Sequence, residues 1–257
     1  MIENLKPTER FSNRAADYRL HRPGYPAAIA GLMREECGLP AGAAVADIGA
    51  GTGRFTKMLL EAGYAVTAVE PNAAMRAAAE EELRGYPGFH SVGAPAEATG
   101  LAGGSFDAIT VAQAFHWFDR EAARREFARL LRAGGWVFIV FNRRVKDASP
   151  FARDYEEFLK TLGESYRNSI HRNRAEMERA RGEFFTAEPV RFAKFDNPDA
   201  LDWAGLRGRF LSISYAPAED DPRREELLGN LEQIFRRHAA DGRVTFEQVT
   251  EVYYGRF

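Results

Sequence analysis

Short apolar runs alternate with amphipathic segments through the first half of the chain. The apolar runs span about five residues and fit buried strands, whereas the segments between them repeat apolar residues every three or four positions, as on one helix face. The predicted elements are strands over 44–48, 64–69, 89–93, 106–111 and 136–141, and helices over 53–61, 72–84 and 120–132. Such alternation predicts a parallel sheet with helices on both faces.

The pattern changes after Asn142, where helical spacing of apolar residues becomes prominent from Phe151 onward. The later elements predicted from the sequence are helix through about Arg181, a strand over 190–195, a helix starting at Asn197-Pro198, a helix over 222–240 and a strand over 246–256. The second half therefore predicts a mostly helical region followed by a return of the chain to the sheet.

The most informative motif is the glycine turn that follows the first predicted strand. Asp47 comes two residues before Gly49, and glycines recur at Gly51 and Gly53, where a helix is predicted to begin. Glycine lets the backbone turn sharply and lets a ligand approach the main chain. Pyrophosphate would be repelled by Asp47, whereas an ammonium group would be attracted, so the turn favours a zwitterionic, phosphate-free ligand with an adenosyl part. The alternative is that Asp47 is an ordinary turn acid.

A second acid supports the same interpretation. Glu70 ends the second predicted strand, 21 residues after Gly49, where a carboxylate commonly binds ribose hydroxyls. Asn72 is predicted to cap the next helix, and Met75 in its first turn is a candidate contact for the adenosyl group. The alternatives are a surface carboxylate for Glu70 and ordinary helix packing for Met75.

Several segments resemble successive motifs of the class I S-adenosylmethionine-dependent methyltransferases. These segments are Asp47–Gly53, Glu70-Pro71, Ala94–Glu97, Ser105–Asp107 and Leu130–Gly135. Within that class, the residues Phe11, Ala15, Tyr18 and Arg22–Pro26, together with Gln113–Phe118, resemble a small-molecule branch that includes trans-aconitate methyltransferase-like enzymes. The resemblance covers roughly residues 8–141 well and the rest loosely.

The resemblance implies an α/β fold with a Rossmann-like, seven-stranded, mostly parallel sheet of order 3-2-1-4-5-7-6, whose last strand is antiparallel. It implies one domain over 1–257, divided into an N-terminal flap and helix over 1–36, a cofactor-binding core over 40–142, a helical insertion over 145–187 that forms a lid, and C-terminal strands and helices over 188–257. It also implies S-adenosyl-L-methionine as the cofactor and S-adenosyl-L-homocysteine as its product.

The resemblance and the motifs together assign a set of residues to cofactor binding. That set is Tyr18, Arg22, Asp47, Gly49, Ala50, Gly51, Gly53, Glu70, Pro71, Met75, Ala96, Glu97, Gln113, Phe115, His116 and Trp117. The resemblance places Ala96 and Glu97 at the adenine edge, and Tyr18 and Arg22 on a flap with Arg22 at the methionyl carboxylate. The alternatives are a solvated acid for Glu97 and a surface ion pair for Arg22.

The catalytic candidates are His116 and Tyr18, because histidine can take a proton near neutral pH. The alternatives for His116 are a structural hydrogen bond or a ligand contact. The chain lacks the motifs of amino-nucleobase, C5-pyrimidine and metal-assisted catechol methylation, which leaves a small-molecule O-, N- or C-methyltransferase. The branch resemblance favours an oxygen acceptor, either a carboxylate or a hydroxyl. The substrate candidates are Trp203, Arg207, Arg209 and Tyr215, although solvated arginines are the alternative.

The composition limits the classes of partner that this protein is expected to bind. There are 35 basic and 37 acidic side chains and a net charge of −2, so the basic excess typical of nucleic-acid binding is absent. Cys37 is the only cysteine, which excludes internal disulfides, and no metal site is predicted. The apolar run 136–141 is too short to span a bilayer. We therefore expect a cytoplasmic monomer or homodimer that acts on a small-molecule acceptor, without nucleic-acid or membrane partners.

Three alternatives to a small-molecule methyltransferase fit parts of the pattern. One is a non-catalytic S-adenosylmethionine-binding protein, which would use the same motifs. Another is an NAD(P)-dependent oxidoreductase, although Asp47 and the spacing of the glycines argue against a dinucleotide. The third is an RNA or protein methyltransferase, which the charge balance disfavours.

Overall fold

The computed structural model describes residues 22–164, 166, 184–185, 189–213 and 215–256. In this part of the chain the strands are β1 Ala44–Ile48, β2 Ala65–Val69, β3 Phe89–Val92, β4 Phe106–Ala112, β5 Leu131–Arg144, β6 Arg191–Asp196, β7 Asp199–Leu201, β8 Val244–Phe246 and β9 Gln248–Arg256. The helices are α1 Ala28–Glu35, α2 Arg54–Glu61, α3 Ala73–Leu83, α4 Arg120–Leu130, α5 Pro150–Lys160, α6 Trp203–Leu211 and α7 Arg224–His238.

The main sheet has seven strands in the order β3-β2-β1-β4-β5-β9-β6. Strands β1 to β5 run parallel to their neighbours, and β9 inserts antiparallel between β5 and β6. The predicted order is confirmed, with β6 as its sixth strand and β9 as its seventh. Parallel strands with short loops at one edge bring the ends of β1, β2, β4 and β5 together there.

Both faces of the sheet are covered, which explains the continuous apolar runs of its strands. On one face Val45 and Val66 pack in a core with Leu59 of α2. On the other face Ile109 packs in a core with Phe127 of α4. The helices supply these residues from one amphipathic side, so burial of that side holds each helix against the sheet.

A third core joins segments that lie far apart in the sequence. Phe158 of α5, Phe210 of α6, Leu231 of α7 and Phe246 of β8 all belong to it. The rings of Phe158 and Phe210 lie 5.2 Å apart. Helix α5, which falls in the predicted insertion, therefore packs with the helices of the C-terminal third rather than standing alone.

The predicted helix start at Asn197-Pro198 is wrong. Residues 199–201 instead form β7, which pairs antiparallel with β8. The backbone N–H of Asn197 donates to the carbonyl of Gln248 at 2.9 Å, which continues the sheet ladder past β6. Helix α6 begins after Asp202, whose side chain accepts a hydrogen bond from the Gly205 N–H at 2.8 Å. Asp202 and Asn197 are equally good helix caps. The helix begins after Asp202 because residues 199–201 pair with β8 as a strand.

Candidate cofactor and acceptor site

The glycine turn lies at the end of β1, and all three of its glycines have positive φ: +71° at Gly49, +59° at Gly51 and +80° at Gly53. A Cβ added at Gly49 would lie 2.5 Å from the Cβ of Ala114, and one added at Gly53 would lie 2.7 Å from Leu83 Cδ1. At Gly51 the nearest atom to such a Cβ is the Met75 sulfur at 3.7 Å. Gly49 and Gly53 are thus required for packing, whereas Gly51 leaves the main chain open to a ligand.

Glu70 lies beside this turn at the end of β2. Its Oε2 accepts a hydrogen bond from the Gly51 N–H at 2.9 Å, and its Oε1 accepts one from the Asn72 N–H at 2.8 Å. Burial raises the pKa of Glu70 even though these two N–H groups and Arg76 lower it. Each carboxylate oxygen keeps a second lone pair, so the fixed carboxylate can still accept hydrogen bonds from a ribose diol.

Asp47 is fully buried within β1 rather than exposed at the turn. Its Oδ2 accepts a hydrogen bond from the Thr56 hydroxyl at 2.6 Å, and its Oδ1 accepts one from the Thr110 hydroxyl at 2.8 Å. Burial raises the pKa of Asp47 to about 6 against the pull of both threonines. Asp47 therefore joins β1, α2 and β4 and places a titratable carboxyl just beneath the glycine turn.

We expect Asp47→Asn to stabilise the unliganded protein near neutral pH. The raised pKa means that the folded state holds the proton more tightly than the unfolded chain. Ionisation therefore costs stability as the pH rises from about 4 to about 6, by at most about 3 kcal/mol. The variant lacks this loss, so its advantage in unfolding free energy over the wild type should grow across that interval, as urea unfolding at a series of pH values would measure.

Asp241→Asn is the matched control, because Asp241 is exposed and its positive φ suits asparagine. The control should follow the wild-type pH profile. If Asp47→Asn also runs parallel to the wild type between pH 4 and 8, the titration of Asp47 that we describe is wrong.

Thr52 was missed by the sequence reasoning, although it stands between Gly51 and Gly53. Its side chain is 3 % exposed, and its hydroxyl forms no hydrogen bond with the residues that the structure describes. A buried hydroxyl without a partner is costly, and a bound ligand with polar groups would satisfy it. The signal was available, because a threonine inside a ligand-binding glycine turn brings a hydroxyl to that ligand.

The remaining adenosyl candidates lie around the loops after β2 and β3. Met75 and Ala96 are each 5 % exposed, while Pro71 is exposed. The Asn72 side chain accepts a hydrogen bond from the Met75 N–H at 3.0 Å, which confirms the predicted helix cap. Glu97 accepts the Asp119 N–H at 2.8 Å, so one of its oxygens is occupied at the start of α4.

The loop after β4 carries four further candidates. Gln113 has a φ of +58°, and its side-chain amide donates to the Asn142 carbonyl at 3.1 Å, which ties the ends of β4 and β5. Phe115 is 1 % exposed and packs edge-on against Phe184 at 4.8 Å, so the structure places it in the core. The His116 and Trp117 rings lie 4.7 Å apart in a short 3-10 turn, partly exposed at the sheet edge.

The candidates near the N-terminus are Tyr18 and Arg22. Tyr18 lies outside the described residues. Arg22 donates to the Ser212 carbonyl at 2.9 Å, which places its guanidinium at the end of α6. Two asparagines that the sequence reasoning missed, Asn142 and Asn197, donate to the Gly24 carbonyl at 3.1 and 3.0 Å. They hold the N-terminal loop against the ends of β5 and β6.

The substrate candidates also fall in different environments. Arg207 is exposed, and Trp203 packs against Phe235 with ring centroids 5.8 Å apart. Arg209 is 5 % exposed and forms an ion pair with Asp199. That pairing makes Arg209 a structural link between α6 and β7. Tyr215 is the candidate that reaches the other cationic and aromatic side chains at the end of β5.

Among the described residues, no three His, Cys, Asp or Glu side chains gather closely enough to hold a metal ion. None of the helices described has the length and apolar character needed to cross a bilayer.

Comparisons with known proteins place the chain in a family. A family model described as "Methyltransferase domain" matches residues 46–139. An uncharacterized methyltransferase of Geobacillus thermodenitrificans is 31% identical over 170 residues, which cover 61% of this chain and 68% of that protein. Another, from Mycobacterium tuberculosis, is 35% identical over 161 residues; the match covers 62% of this chain but only 63% of that relative's length.

The structural comparison agrees with the sequence comparison. A type II methyltransferase candidate from Anaeromyxobacter dehalogenans superposes with a TM-score of 0.66 and 25% identity, over 91% of this chain and 97% of that one. The strand order, the glycine turn and the acid at the end of β2 are all present. The chain therefore belongs to the class I S-adenosylmethionine-dependent methyltransferases.

Proposed function

We propose that this protein transfers a methyl group from S-adenosyl-L-methionine to an oxygen atom of a small molecule, either a carboxylate or a hydroxyl. The observation that carries the proposal is the Glu70 carboxylate, which the Gly51 N–H holds beside three left-handed glycines. This arrangement supports a ribose diol at Glu70 and a close approach of the adenosyl group to Gly51. The buried Thr52 hydroxyl adds a polar group to the same turn.

In this proposal, different residues around the glycine turn bind different parts of the cofactor. Glu70 accepts from the ribose hydroxyls, and the carboxylate of Asp47 attracts the ammonium group from beneath the turn. Met75 and Ala96 pack against the adenine ring, and Glu97 uses its remaining oxygen to accept from the exocyclic amine. The other cofactor-binding residues proposed are Tyr18, Gly49, Ala50, Gly53, Pro71, Gln113, His116 and Trp117.

For methyl transfer, the main role of the protein is to position the reactants. The cofactor supplies the electrophilic methyl group, and the protein aligns the acceptor oxygen with it and excludes water. A carboxylate acceptor has no proton to lose, so no base is needed. A hydroxyl acceptor must lose one, and the neutral imidazole of His116 or the phenolate form of Tyr18 would then take it.

At the level of the whole chain, we propose one methyltransferase domain with a roof over the active site in residues 145–187, of which the structure describes 145–164, 166 and 184–185. Packing of α5 against the C-terminal helices supports such a roof. A net charge of −2 favours a small acceptor over nucleic acid. The single cysteine accords with a reducing cytoplasm. We propose a monomer or a homodimer without membrane partners.

Calorimetric titration with S-adenosyl-L-homocysteine is the direct test, with NADH and NADPH as controls. We expect binding of S-adenosyl-L-homocysteine alone, because Asp47 and Glu70 suit an ammonium group and a ribose rather than a pyrophosphate. Binding of a dinucleotide, or of none of the three, would contradict the proposal. Binding without turnover of S-adenosyl-L-methionine on any acceptor tested would indicate a non-catalytic binding protein.

A further inference from the structure

A group of aromatic and cationic side chains meets at the end of β5, away from the glycine turn. The Arg144 guanidinium carbon lies 5.4 Å from the Tyr155 ring centroid and 5.9 Å from that of Tyr166. Arg144 also donates to the Tyr166 hydroxyl at 3.2 Å. The ring of Tyr215 lies 5.3 Å from that of Tyr166. These residues come from β5, α5, the segment after α5 and the segment after α6, and we call them the Arg144 cluster.

Two hydroxyls of the Arg144 cluster form no hydrogen bond with the residues that the structure describes. The Tyr155 side chain is 3 % exposed, and neither its hydroxyl nor that of Tyr215 forms a hydrogen bond with the described residues. Burial raises the pKa of both tyrosines, so both phenols keep their protons to donate. Because neither phenol is engaged as a donor within the described residues, both are available to a ligand that carries a hydrogen-bond acceptor.

The charges around the Arg144 cluster do not balance. Arg209 is neutralised by Asp199. Glu156 is shared, because it lies 3.4 Å from Arg144 and 2.8 Å from Lys146. One carboxylate cannot neutralise two cations, and Arg144 is mostly buried, with 23% of its side chain exposed. Among the described residues, the cluster therefore carries surplus positive charge at a partly desolvated position, which favours an anion.

A short loop connects the Arg144 cluster with the cofactor turn. At one end of residues 22–25, Tyr25 packs edge-on against Phe55 in the first turn of α2, 4.8 Å between centroids. At the other end Arg22 bonds the Ser212 carbonyl, where its positive charge lowers the pKa of Tyr215 and Tyr155 against their burial. The loop adds a further cation to the cluster and spans the distance between the two sites.

We propose that the Arg144 cluster binds a carboxylate of the methyl acceptor. The Arg144 guanidinium pairs with the carboxylate, the Tyr155 and Tyr215 hydroxyls donate to its oxygens, and Arg22 closes the site from the N-terminal loop. A planar guanidinium with two donating edges matches a carboxylate better than an ammonium group does. This inference rests on the proposed methyltransferase function and assigns the acceptor to Arg144 rather than to Arg207 or Arg209.

The test measures turnover of S-adenosyl-L-methionine by the full chain on benzoate, phenylacetate, succinate and citrate and on the neutral amide of each. We expect turnover with at least one of the carboxylic acids and none with the amides. For the best acid, Arg144→Gln should raise the acceptor KM about tenfold, as the loss of a charged hydrogen bond predicts. Tyr155→Phe should raise it severalfold.

The two variants control for each other. Arg144→Gln disturbs the ion pairs of Glu156, but Tyr155→Phe removes a hydroxyl that has no partner among the described residues, so it should fold as the wild type does. Arg153→Gln, an exposed arginine of α5, is the matched substitution and should leave the acceptor KM unchanged. Both cluster variants should keep the wild-type affinity for S-adenosyl-L-homocysteine.

The outcomes separate the two proposals. Failure of the wild type to bind S-adenosyl-L-homocysteine would contradict the proposed function. If the wild type binds S-adenosyl-L-homocysteine normally, three results would overturn the carboxylate site alone. These are equal turnover of acids and amides, no turnover of any acid, and an unchanged acceptor KM in both cluster variants.

Discussion

Gly49→Ala should abolish binding of the cofactor. An alanine Cβ at this position would lie 2.5 Å from the Cβ of Ala114 and 3.2 Å from Phe118 Cζ. The Ala114 atom is fixed to the backbone and cannot swing aside. The φ of +71° adds about 1–2 kcal/mol of strain for a residue other than glycine. The turn must therefore move, because the clashing Cβ atoms are fixed to the backbone, and the main chain proposed to contact the cofactor moves with it.

Calorimetric titration with S-adenosyl-L-homocysteine measures this loss, and circular dichroism checks that the variant folds. Gly229→Ala is the matched control, because nothing lies within 4 Å of the added Cβ on α7 and alanine favours a helix. It should bind the cofactor product as the wild type does. A folded Gly49→Ala protein with wild-type affinity would show that the turn does not contact the cofactor.

Glu70→Ala should weaken binding of S-adenosyl-L-homocysteine by about a hundredfold, which corresponds to about 3 kcal/mol for two hydrogen bonds to a charged acceptor. The substitution removes the proposed partner of the ribose hydroxyls. It also leaves the Gly51 and Asn72 N–H groups without their carboxylate. Calorimetry on the variant gives the change directly.

Two comparisons separate ribose binding from support of the turn. Glu70→Gln keeps an oxygen acceptor and should recover part of the affinity, and a 2′,3′-dideoxy analogue of the ligand should bind wild type and Glu70→Ala equally. Glu121→Ala, which removes an exposed carboxylate of α4, should have no effect. If the dideoxy analogue still distinguishes wild type from Glu70→Ala, Glu70 acts through the turn and the ribose assignment is wrong.

Much of the fold follows from local sequence. The apolar runs of β1, β2 and β4 are short, and each is followed by a glycine or a polar residue. Their predicted positions differ from the observed ones by at most one residue at either end. Burial on both faces of a parallel sheet makes this pattern unambiguous. β5 is the exception, because it begins at Leu131, within the predicted helix 120–132, and continues beyond the predicted strand 136–141 to Arg144, where pairing with β9 extends it. That extension depends on a partner about a hundred residues later in the chain.

The candidate site likewise contains some features that the sequence predicts and others that it does not. The glycine turn and Glu70 could be predicted because turn and strand end are specified by neighbours in the sequence. The environment of Asp47 could not, since Thr56 and Thr110 reach it from two other elements. Nor could the pairing of Arg209 with Asp199, which turned a substrate candidate into a structural residue.

The sequence by itself determined the order of strands and helices, the conformation of the glycine turn and the acid placed beside it. These depend on side-chain periodicity and on backbone freedom, which are local properties. Only the tertiary structure decided which side chains meet beyond the sheet. Arg144, Tyr155 and Tyr215 converge because β9 extends β5 and because α5 packs with α6 and α7 in one core. Charge and hydrogen-bonding capacity at such a junction are set by long-range packing, which no local pattern records.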